Sequence, residues 1–227
     1  MGTTQAFYHI WGAGLSKEQI EAGRLRLMEM MREGAKKWKP CIGNPWINFD
    51  DISPIFIARS ESSQWLSLYN ENLCYDCIAD SQDCRRISQA FHVPVAAISC
   101  FDDDVVDVAY SDAPQNINAD GREKNDTYPI EDENRYSDKT GVTYITDFPA
   151  ELLTYCDADN LQKLLDIWNS PNVDERQRAV ETGEYSEGYP YYLFKINKVY
   201  DIAELLGMGN LIVYEGEVNV IEGFELI

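Results

Sequence analysis

Histidine is nearly absent from this chain: its 227 residues hold two, His9 and His92. Imidazole is the side chain that titrates near neutral pH without help. Hydrolytic triads and histidine-rich metal centres therefore start with almost no material. No G-x-S-x-G elbow is present to carry a serine nucleophile. Positive charge is scarce as well, with 19 Lys and Arg against 39 Asp and Glu, a net charge of −20. So negative a chain repels nucleic-acid phosphates and anionic membranes and favours basic protein partners. Acidity of this kind also serves plain solubility. Long apolar runs are missing, and no stretch has the ~20 residues that cross a bilayer. Met1 to Ile10 lacks the basic region and apolar run of a secretion signal, so the expected location is the cytoplasm. There the six cysteines are expected to be thiols.

What remains is ordinary globular material. Hydrophobic residues make up 44% of the chain, enough for a core, and the length suits one domain with insertions, taken here as 1–227. Thr3 to Trp11 reads as a strand, ended by Gly12 and Gly14. Ser16 and Gln19 form a capping box, which starts a helix at Lys17. Ile20, Leu27, Met28, Met31 and Ala35 share one face of that helix and read as core. Lys39 to Pro54 is proline-rich loop. Strands follow at Ile55 to Arg59 and Gln64 to Tyr69, then a helix from about Asp80 to His92. Val93 to Phe101 is almost continuously apolar, the mark of a strand covered on both faces. Asp102, Asp103 and Asp104 turn the chain back into a strand at Val105 to Tyr110, making an antiparallel hairpin.

From Asp102 to Asp138 twelve acids face three bases, a net of −9. The segment 111–141 shows no periodicity and is expected to be a mobile acidic loop. Helices are expected at Pro149 to Tyr155, after Asp157, at Val173 to Glu181, and within Tyr191 to Leu206, with Gly207 as a stop. Leu211 to Ile221 reads as a final strand with a bulge at Gly216. The expected fold class is α+β: a mixed, largely antiparallel sheet with packed helices and a helical C-terminal third.

Four groups of residues could carry chemistry. Gly12-Ala13-Gly14-Leu15-Ser16-Lys17 joins a strand to a helix, where an anion-binding loop sits, yet Lys17 stands where the dinucleotide fingerprint needs its third glycine. A tight turn with an N-cap explains the same residues. Cys74 and Cys77 have zinc-ligand spacing, with Cys84 and His92 downstream. The last two fall about 12 Å apart along a helix, too far for one tetrahedral site, so no metal and no cofactor are expected. Asp102, Asp103, Asp104 and Asp107 offer oxygen ligands to a hard cation, or a solvated acidic tip. Tyr185, Tyr189, Tyr191 and Tyr192 cluster beside Glu184 and Glu187, a composition suited to an Arg- and Lys-rich partner.

These features point to a non-catalytic acidic binding protein. It would occlude a basic surface of a partner protein through Asp102, Asp103, Asp104, Asp107 and the four tyrosines. The most specific form is a bacterial immunity-type toxin inhibitor or a nucleic-acid-mimicking inhibitor. The alternative is a metal-dependent hydrolase built on Asp102 to Asp107. Charge is uneven along the chain: seven bases against four acids between Lys17 and Lys39 leave +3 there, and therefore −23 elsewhere. A basic partner should avoid that first helix.

Overall fold

The computed structural model describes residues 4–34, 53–60, 63–74, 81–101, 105–112, 127–131, 136–137, 143–144, 148–170, 195–209, 211–214, 217–220 and 224–227. Its frame is a seven-stranded sheet in the order β11-β2-β3-β1-β4-β5-β6. These strands are β1 (Gln5–Trp11), β2 (Phe56–Ser60), β3 (Trp65–Tyr69), β4 (Val95–Phe101), β5 (Val105–Ser111), β6 (Thr127–Glu131) and β11 (Phe224–Leu226). Every neighbouring pair in the sheet is antiparallel, so the sheet is not mixed. The class is α+β.

The connections explain that order. Helix α1 (Lys17–Gly34) links β1 to β2, while β3 slots between them. The short α2 (Glu71–Cys74) and α3 (Ser81–Phe91) lead from β3 to β4, with β1 between that second pair. Two interlocked split β-α-β units result, the β-α-β-β-α-β arrangement of ferredoxin-like domains. The hairpin partner β5 then extends the sheet beyond β4. The expected Asp102–Asp104 turn lies outside the described residues, but the hairpin it predicted is present in full register, from Val95 opposite Ser111 to Phe101 opposite Val105.

Helices cover both faces of the sheet. On one, Ile20, Leu27 and Met31 of α1 and Cys84, Ile87, Ala90 and Phe91 of α3 bury against Ala6, Tyr8, Ile10, Val95, Ala97 and Ala109. Of the sequence stripe on α1, Ile20, Leu27 and Met31 are core, Met28 is half-buried against it, and Ala35 lies outside the described residues. On the other face lie α4 (Ala150–Leu153), α5 (Leu161–Trp168) and α6 (Lys195–Leu205). Their Leu152, Leu164, Ile167, Trp168, Val199, Ile202 and Ala203 pack on Phe7, Ala96, Ile98, Cys100, Val106 and Val108. Alternate residues of β4 therefore enter different cores, which is why its sequence is apolar without a period of two.

The C-terminal third is not simply helical. Leu211 to Ile221 was expected as one strand and is instead a hairpin of β9 (Leu211–Tyr214) and β10 (Glu217–Val220), and β11 then returns to the sheet edge beside β2. Glu217 pairs with Tyr214, and the expected bulge at Gly216 lies outside the described residues. The expected helix at Val173 to Glu181 lies outside the described residues. The expected loop 111–141 contributes β6 to the main sheet and β7 (Tyr136–Ser137), which pairs with β8 (Thr143–Tyr144). Short strands with polar side chains carry no hydrophobic alternation, and their pairing is a tertiary choice.

Candidate functional site

Of the eight expected contact residues, seven (Asp102, Asp103, Asp104, Tyr185, Tyr189, Tyr191 and Tyr192) lie outside the described residues. Asp107 is placed. It pairs across from Ser99 on β4 and is 3% exposed. It alternates with Val106 and Val108, whose side chains enter the core under α6, so Asp107 faces the α3 layer. A buried carboxylate cannot meet a docking protein, so Asp107 leaves the expected contact set.

The other candidates resolve into ordinary structure. Ser16 and Gln19 close the capping box in both directions: Ser16 N–H donates to Gln19 Oε1 at 2.8 Å, and Gln19 N–H donates to Ser16 Oγ at 3.3 Å. Leu15 N–H donates to Gly12 O at 3.0 Å, and Gly14 sits at φ +79, so these glycines build a turn. The Cys74 and Cys84 thiols are both fully buried in the α1–α3 core, where Cys74 Sγ lies 3.8 Å from Leu68 O. Cys77 is outside the described residues. His92 is exposed at the end of α3 with φ 59 and donates its N–H to Ser88 O, a helix C-cap. Among the described residues no group of three or more His, Cys, Asp or Glu side chains could hold a metal ion.

The structure does assemble a cleft of about 490 Å³ at one end of the sheet. Its walls come from distant parts of the chain: Trp11 at the end of β1, Ser63, Gln64 and Trp65 entering β3, Thr154 and Tyr155 after α4, Asp157 and Asn160 around a short 3-10 turn, and Glu204 to Gly207 at the end of α6. Antiparallel pairing sets Trp11 directly opposite Trp65. Their ring centroids lie 5.0 Å apart at 74°, and Tyr155 closes the group at 4.7 Å from Trp11 and 4.8 Å from Trp65. Trp65 is the buried member, while Trp11 and Tyr155 are partly buried and line the cleft.

Hydrogen bonds hold this wall. Gly12 N–H donates to Gln64 O at 2.8 Å, locking β1 to β3 below the two tryptophans. Ser63 Oγ–H donates to Gly207 O, and Ser67 Oγ–H donates to Gly209 O, so two serines pin the segment after α6 onto β3. The Tyr110 and Tyr155 hydroxyls lie 3.3 Å apart. Burial, then the hydrogen bond to Tyr155 and nearby negative charge, pushes the Tyr110 phenol far above its ordinary range, so it stays protonated behind the Tyr155 ring.

The cleft is electrostatically one-sided. Asp157 and Glu204 are its charged lining, both exposed at the mouth, and no Lys, Arg or His lines it among the described residues. His9 is close in register yet sealed off. It pairs with Ser67, is fully buried, and has Nδ1 3.5 Å from Ser67 Oγ. Among the described residues its Nε2 has no hydrogen-bond partner, and burial lowers its pKa from 6.5 to about 3, so the ring is neutral. Comparison with family models, curated proteins and solved structures finds no match.

Trp11, Trp65, Tyr155, Asp157 and Glu204 had no motif to mark them. Their sequence signal was aromatics at the ends of two strands, which core packing explains equally well. Only the β1–β3 register and the C-terminal helices turn them into one wall. Among the described residues, no helix is long and apolar enough to cross a membrane.

Proposed function

We propose that this chain is an acidic binding protein that occludes a basic surface of a partner protein, in the manner of an immunity-type toxin inhibitor or a nucleic-acid mimic. The observation that carries this is a cleft walled by Trp11, Trp65 and Tyr155, with Asp157 and Glu204 at its mouth, on a chain of net charge −20. Aromatic rings give large contact area at low entropic cost, and the acids select a cation. Helix α1 lies in the layer across the sheet from this cleft and carries no net charge, its four bases balanced by four acids, so the attraction for a basic partner belongs to the cleft side. The metal-dependent hydrolase reading rests on Asp107, buried against the α3 layer, and on Asp102, Asp103 and Asp104, which lie outside the described residues.

Asp102, Asp103 and Asp104 lie outside the described residues, and Phe101 and Val105, which bracket them, sit at the end of the sheet opposite Trp11, so these acids form a second candidate contact apart from the cleft. Affinity capture with the full chain as bait tests the reading. A basic protein should be retained at about 0.05 M salt and released as ionic strength rises, because exposed charges are screened over about 10 Å at 0.1 M. A bait carrying Asp103→Lys and Asp104→Lys should associate more slowly. A partner whose binding ignores both salt and these reversals would overturn the electrostatic reading.

A further inference from the structure

The group that enters the cleft can be named from its walls, and this rests on the binding-protein reading above. We infer that the cleft is the recognition pocket for an arginine side chain presented by the partner, its guanidinium lying against Trp11 and Tyr155 in the cleft wall with Asp157 and Glu204 as counter-charges.

Three features select arginine. The guanidinium is planar and weakly hydrated, so it stacks on an aromatic face at little desolvation cost, whereas an ammonium is a compact, strongly hydrated point charge. Two carboxylates at one mouth suit its in-plane fork of five N–H donors, which bonds acids bidentately. The volume, about 490 Å³, falls within the 300–1,000 Å³ range of sites that take a whole small ligand. It therefore admits the arginine with the peptide unit that carries it. The rings are already in place, since the Tyr110 hydroxyl stands behind Tyr155, Trp65 is packed beneath, and Gly12 and Ser63 hold the strand ends. A pocket formed in advance loses little entropy on binding.

The test titrates the full chain with N-acetyl-arginine amide, N-acetyl-lysine amide and N-acetyl-citrulline amide, followed by calorimetry and tryptophan emission. Citrulline keeps the shape of arginine without the charge. The arginine compound should bind saturably, shift the emission, and bind at least tenfold more tightly than citrulline. Lysine should fall between them. Asp157→Asn with Glu204→Gln should weaken arginine binding at least tenfold. Both positions are exposed, so the fold should survive, as circular dichroism would verify. Equal binding of citrulline, equal binding of lysine, or an unaffected double variant overturns the arginine assignment. If no compound binds while salt-sensitive capture of a basic protein persists, the pocket assignment falls and the binding-protein reading stands. If capture also fails, both fall.

Discussion

His9 occupies β1, the central strand of the sheet, with its Nε2 buried and without a hydrogen-bond partner among the described residues. Protonating that ring would place a charge in an apolar layer, so its folded-state pKa drops from 6.5 to about 3. A depressed histidine pKa means the unfolded chain binds the proton and the folded one does not. The contribution to stability is complete above pH 6.5 and is lost as pH falls through the window towards 3. Between pH 7 and pH 5 that loss is about 2 kcal/mol. Urea unfolding of the wild type and His9→Gln at both pH values isolates it, since protonation of the 39 carboxylates affects both proteins alike. The wild type should lose about 2 kcal/mol more than the variant. Identical pH dependence in the two would show that His9 takes up its proton inside the fold.

Helix α1 meets α3 at Gly23. A Cβ built there would lie 2.4 Å from the Phe91 ring, so the absence of a side chain is what lets the helices approach. Gly23→Ala gains helix propensity of up to about 1 kcal/mol but must displace a buried ring, an overpacking cost of about 1–3 kcal/mol. Net destabilisation is expected, read as a lower urea midpoint at unchanged slope. Pairing Gly23→Ala with Phe91→Leu should recover part of it, and a stabilised single variant would show that Phe91 has room to move. Across the sheet, the fully buried Lys198 of α6 donates from Nζ to the carbonyl of Trp168, the last residue of α5, at 2.7 Å. The terminal carbonyls of a helix lack intrahelical donors and carry its negative pole, so a lysine there answers both needs. Lys198→Met removes that hydrogen bond and should cost about 1–3 kcal/mol. Amide exchange in α5 should accelerate together with the loss of stability. Unchanged protection there would mean α5 is held by Trp168 and Phe148 packing, whose rings lie 5.2 Å apart at 83°.

At the scale of the whole molecule, −20 charges on 227 residues repel one another in the compact state. Raising NaCl from about 0.02 M to about 0.3 M shortens the Debye length several-fold, so the melting temperature should rise over that range. A flat or falling melting curve would mean that local ion pairs such as Arg24–Glu21 and Arg86–Asp83 outweigh the general repulsion. The same salt that stabilises the free chain should weaken its hold on a basic partner, which gives the two effects opposite signs in one titration.

Much of the scaffold was legible before the structure. The capping box at Ser16 and Gln19, the α1 stripe, the two-sided burial of Val95 to Cys100 and the hairpin into β5 all follow from short-range physics: hydrogen-bond donors at a helix start, side-chain period, and turn chemistry within a few residues. Strand order was not legible, because the pairing of β3 between β1 and β2 depends on how two crossover helices share one face. Nor was the end of the chain, where single-strand periodicity hid a hairpin and an edge strand. Asp107 shows the limit at one residue: its sequence neighbours are acids and valines alike, and only the packing of α3 over β5 decides that it is buried. The cleft shows it for a site. Trp11, Trp65, Tyr155 and Glu204 are separated by up to 193 positions, and no local rule joins them. Composition set the charge that the site can attract; the register of β1 on β3, and the helices laid over it, decided where that charge meets aromatic surface.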